Sequence, residues 1–112
     1  MAAGDFTPVK LLQKALDTTS ANSAIAGASN KRRYITSISL LNTNSTTRRT
    51  VSVYGYGTTA VYELFRVPLE PSGSELLTEL PYFVNSGESF YFKQDTGADV
   101  NILVMGTEEA LT

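Results

Sequence analysis

The stretch YITSISLLNTNSTTRRTVSVYGYG, residues 34–57, decides the fold. Its first part alternates, so that Tyr34, Thr36, Ile38 and Leu40 share one face of an extended chain. NTNSTTRR is polar turn material, and TVSVYGYG resumes the period of two with Val51 and Val53 on one side. Strand, turn and strand follow directly.

The same signals continue toward the C-terminus. AVYELFRVPLE (60–70) is strand-like, and Pro68 marks an edge position or a strand end. EPSGSE is a turn before LLTEL (76–80). A further turn at Asn85-Ser86-Gly87 precedes a strand with Phe90 and Phe92 on one face and Tyr91 on the other. DVNILVMG closes the series, with Val100, Ile102 and Val104 aligned. Many short strands with turns between them, no helix-length pattern in this part of the chain and no internal repeat predict an all-β antiparallel sandwich or barrel.

Composition narrows the chemistry. The 112 residues suit one domain, and the 42% hydrophobic content is enough for a compact core. The chain has no histidine and no cysteine, which removes Ser-His-Asp triads, thiolate nucleophiles, disulfides and histidine- or cysteine-ligated zinc. No apolar run is long enough for a transmembrane helix, and MAAGDFTPV does not read as a signal peptide. Charge is uneven: residues 1–56 hold seven Lys/Arg against two Asp/Glu, and residues 57–112 hold two against nine. The halves therefore either attract a neighbour or, if the strands interleave, neutralise each other within the chain.

The tripeptide Asp95-Thr96-Gly97 carries the aspartic-protease signature, but its context does not. Only 15 residues follow Gly97, too few for a flap and a supporting second motif. Lys93 and Gln94 stand where the enzymes have an apolar strand, and an unburied aspartate does not acquire the split pKa values of a dyad. DTGAD reads as a hairpin connection, with Gly97 free to take positive φ and Asp99 at the next strand start. Asp95 and Asp99 supply too few oxygens for a calcium loop. No metal or cofactor is expected.

Candidate contact residues are few. Lys31-Arg32-Arg33 and Arg48-Arg49 are separated by a strand of nine residues, about 30 Å long at ~3.3 Å each, so they form two small clusters and not a phosphate-tracking groove. Tyr54, Tyr56 and Tyr62 fall on one hairpin, where outward aromatics bind sugar or protein and inward ones cover a core. Asn44-Ser45-Thr46 is a glycosylation sequon, meaningful only in a secreted chain.

The N-terminus offers two readings. Thr7 suits an N-cap, Pro8 the first helical position, and Val9, Leu12 and Leu16 fall at helical spacing, favouring a short helix over 8–16; the same residues also read as a strand. Residues 1–8, with Phe6 their one large apolar side chain, read as an arm that becomes ordered on a neighbour. Residues 18–30 are small and polar and read as a loop.

YITSISLLNTNSTTRRTVSVY, LFRVPLEPSGSELLTELPYFVNSGESFYFK and DVNILVMGTEE together resemble the small β-sandwich structural proteins of tailed-bacteriophage virions. The shared features are a strand ending at Asn42, a Ser/Thr-rich turn, the Val51-Ser52-Val53-Tyr54 strand, the Pro71–Gly73 turn, the Val84–Phe90 turn and a closing valine-rich strand. The resemblance runs from about residue 10 to 108. Lys10-Leu11-Leu12 and Leu16-Asp17-Thr18 match an opening strand of that group, which favours strand over helix for 9–16. Gly27-Ala28-Ser29-Asn30 departs from its usual turn.

The resemblance implies a single jelly-roll-like sandwich over 1–112 with an N-terminal arm, and a virion component that is not an enzyme. The expected role is a capsid decoration (cement) protein, made in the host cytoplasm and bound to the major capsid protein or another virion protein as a homotrimer. Nucleic acid and membrane are not expected partners. The alternative is a tail or fibre module that binds host carbohydrate. Expected partner contacts are Phe6, Lys31, Arg32, Arg33, Arg48, Arg49, Tyr56 and Tyr62, with the basic residues meeting acidic residues of the next copy.

Overall fold

A computed structural model of the chain describes residues 5–57 and 62–111, without the side chains of residues 56 and 57. Two antiparallel sheets pack as a sandwich, and a 3-10 turn at Ser20–Asn22 is the only helical element among the described residues. The front sheet runs β1 (Phe6–Ala15), β9 (Val100–Ala110), β3 (Lys31–Asn42) and β6 (Ser74–Thr78), with β7 (Phe83–Asn85) also paired to β3. The back sheet runs β2 (Ala24–Ala26), β8 (Ser89–Gln94), β4 (Arg49–Gly57) and β5 (Glu63–Leu69).

Alternation explains the core. Ile38 and Leu40 of β3, Ile102 and Val104 of β9, Val51 and Val53 of β4, and Phe90 and Phe92 of β8 all point between the sheets and are buried. Burying apolar surface on one face of each sheet is what holds the two layers together.

One expected alignment fails. The register of β3 against β9 shifts between Ile35 and Ser37, so Ile35 and Ile38 both point inward while Thr36 is exposed and Tyr34 faces out. The cause sits on β9. A Cβ built at Gly106 would lie 2.0 Å from the Tyr34 carbonyl oxygen, a contact only glycine avoids. The backbones therefore approach closely at Gly106, and β3 carries a bulge there.

The N-terminal segment also differs from the expected arm. Strand β1 begins at Phe6, so Phe6–Pro8 pair with Glu109, Glu108 and Thr107. The locally favoured helix over 8–16 gives way to the strand, because β9 offers a ladder partner along its whole length. Pro8 is compatible with this. Ala110 donates its N–H to the Asp5 carbonyl, so alternation turns the backbone of residue 8 away from β9, toward the open edge. The expected 18–30 loop contains the 3-10 turn and β2, whose Ile25 is buried in the core.

Candidate interaction surfaces

Two polar clusters close the ends of the sandwich. At one end Arg49 of β4 grips Asp99, Nε to Oδ1 at 2.9 Å and Nη2 to Oδ2 at 3.0 Å. Gln94 Nε2 donates to Asp99 Oδ1 at 2.8 Å, and Asn44 Nδ2 donates to Asp99 Oδ2 at 3.0 Å. The Arg49 guanidinium, then the Gln94 and Asn44 amides, hold the Asp99 carboxyl far below the usual carboxylate range. Gln94 is fully buried, and its Oε1 accepts the Val100 N–H at 2.8 Å. Asn42, also fully buried, donates to the Thr47 and Glu70 carbonyls and accepts the Asn44 N–H.

These bonds explain the DTGAD segment. Strand β8 lies in the back sheet and β9 in the front, so residues 95–99 form a crossing between sheets and not the expected hairpin. Asp95 Oδ1 accepts the Thr96 N–H at 2.9 Å, and Gly97 takes φ +79°. The sequon asparagine, Asn44, is tied to Asp99 and accepts from Thr46 and Thr47.

At the other end Glu108, only 7% exposed, accepts from Lys31 Nζ at 3.0 Å and Arg33 Nε at 2.8 Å. Arg33, then Lys31, holds the Glu108 carboxyl below its ordinary value. Arg33 also donates to the Ala26 carbonyl of β2, linking the two sheets.

Most of the expected contact residues are thus engaged within the chain. Arg48 pairs with Glu70 at 3.3 Å on the surface. Arg32 donates to Asn85 Oδ1 at 2.9 Å and lies over the Phe83 ring. The basic first half and acidic second half meet because their strands interleave. Phe6 is 59% exposed and packs on Tyr34, 6.0 Å between ring centroids. Tyr62 is 65% exposed at the entry to β5. The Tyr56 side chain lies outside the described residues. No group of three or more Asp, Glu, His or Cys could hold a metal among the described residues.

The surface that sequence reading missed is the outer face of the front sheet. Strand register arranges it in five rows across β1, β9, β3 and β6 or β7. The first row is Ala15, Asn101, Leu41 and Ser74; the second Gln13, Leu103, Ser39 and Leu76. The third is Lys10, Met105, Ser37 and Thr78. The fourth is Pro8, Thr107, Tyr34 and Phe83, and the fifth Phe6, Glu109, Arg32 and Asn85. Leu41, Leu76 and Met105 are exposed, and a shallow depression crosses the first two rows. Apolar residues at outward positions of β3 and β9 were the available signal.

No protein-family model matches the sequence, and no curated protein matches it. Among solved structures, one similar chain comes from the cryo-EM structure of the extra small virus (XSV) virus-like particle of the giant freshwater prawn Macrobrachium rosenbergii. The TM-score is 0.45 at 9% identity, covering 100% of this chain and 84% of that one.

Proposed function

We propose that this chain is a non-enzymatic structural component of a virion, and specifically a capsid decoration protein that binds the outer shell and stabilises it. One observation carries the structural part of this reading. The dense polar clusters around Asp99 and Glu108 hold the chain's own crossings and strand ends, and what faces outward is a broad sheet surface. Such a surface suits a protein–protein contact, whose centre is depleted in charge. The virion part rests on the resemblance carried by Asn42, the Pro71–Gly73 turn, the Val84–Phe90 turn and the closing strand.

The expected homotrimer drew on basic residues reaching the next copy. Those at 31, 33, 48 and 49 already hold carboxylates of this chain, so charge supports that contact less than the sequence suggested. A tail or fibre module that binds carbohydrate is the second reading, favoured by the aromatic succession Phe6, Tyr34 and Phe83. Imaging labelled protein on particles made with and without it separates the readings. Label over the capsid shell supports decoration, label confined to the tail supports the second, and particles that carry none overturn both.

A further inference from the structure

We propose that the outer face of the front sheet is a self-association surface, on which a second copy docks about a two-fold axis lying in the interface. The axis runs between β3 and β9, parallel to the strands, within the range over which packed sheets align. The proposal does not depend on the virion reading, and a copy seated here leaves the back sheet and the sheet edges to meet a shell.

The two outer faces of the sandwich differ in charge. The back sheet presents Lys93 of β8 with Glu63 and Arg66 of β5, the last two paired at 2.7 Å. In the first three rows of the front face, Lys10 is the only charged side chain, and it stands at the edge. A face that must meet its own copy gains from such neutrality, since a two-fold axis otherwise risks setting like charges together.

Complementarity then follows from the rows. The axis lays the β9 column of one copy on the β3 column of the other. Leu103 faces Ser39, Met105 faces Ser37, and Asn101 faces Leu41, so each contact sets a larger apolar side chain against a smaller or polar one. In the fifth row Glu109 faces Arg32, opposite in charge. Lys10 lies over Thr78 and meets no cation. Four strands at ~4.8 Å and five rows at ~6.7 Å give roughly 640 Å² per copy, or about 1,300 Å² in all. That reaches the size of standard specific interfaces, roughly 1,200–2,000 Å².

Sedimentation equilibrium of the full chain over a wide concentration range tests the proposal. The expected state is a dimer. Ser39→Arg would drive a guanidinium into the partner's Leu103, and Met105→Lys would place a cation near the axis. Each is expected to raise the dimer dissociation constant about 100-fold or more. Ala24→Lys, on the exposed back of β2, should leave the dimer unchanged. Circular dichroism melts confirm that the variants are folded, and either folded front-face variant suffices. A parent that stays monomeric or forms trimers, or front-face variants that dimerise like the parent, would overturn the proposal.

Discussion

Arg49 and Asp99 lock the two sheets together: a residue of β4 in the back sheet holds, through two guanidinium–carboxylate hydrogen bonds of 2.9 and 3.0 Å, the residue that precedes β9 in the front sheet. The bidentate geometry suits arginine and a carboxylate. It also fixes the crossing that carries the Asp-Thr-Gly tripeptide.

Acid should loosen this lock. Asp99 and Glu108 both have folded pKa values below their unfolded ones. The stability they contribute is fully present above the unfolded carboxylate range, about pH 4, and is lost as pH falls through the folded values. Asp99→Asn keeps the shape but removes the charge, and should melt about 5 °C lower than the parent at neutral pH. Its Tm should then fall less than the parent's between about pH 5 and about pH 3. Parallel pH profiles would show that Asp99 titrates alike in both states.

Gly106→Ala tests the close approach at the bulge. The added methyl would meet the Tyr34 carbonyl oxygen at 2.0 Å and Leu11 Cδ1 at 2.7 Å. Backbone cannot yield as a flexible side chain can, so a loss of about 2–3 kcal/mol in urea unfolding is expected. An unchanged unfolding midpoint would mean the strands are further apart than described.

Deleting residues 1–8 should lower the melting temperature by several degrees, because Phe6, Thr7 and Pro8 are paired with β9 and Phe6 packs on Tyr34. A freely hanging arm would leave the melt unchanged. Local sequence could not decide this segment. Pro8 and the spacing of Val9, Leu12 and Leu16 fit a helix, and only β9, more than 80 residues away, supplies the competing ladder. Strand existence elsewhere was legible from alternation alone, as at Val51, Val53, Phe90 and Phe92. The β3 bulge was not, since Gly106 acts from another strand. Asn42 shares the parity of Ile38 and Leu40, but neither its burial nor its partners across the loop was read from the sequence. The front face was readable in part, because Leu41, Leu103 and Met105 occupy outward positions that solvent alone does not favour. Which strands lay side by side was not.

Asp95→Asn should leave the fold intact, with Tm within about 2 °C of the parent, since an amide oxygen can still accept the Thr96 N–H. Acid-range, pepstatin-sensitive peptide cleavage should be absent from both proteins. Cleavage present in the parent and lost in the variant would make the tripeptide catalytic.

The decoration reading meets its most direct test in reconstructions of particles assembled with and without the chain. The account predicts additional density on the outer capsid surface, the size of one or two such sandwiches at each site, and particles that disassemble at lower temperature when it is missing. Particles identical in density and in thermal stability with and without the chain would contradict it.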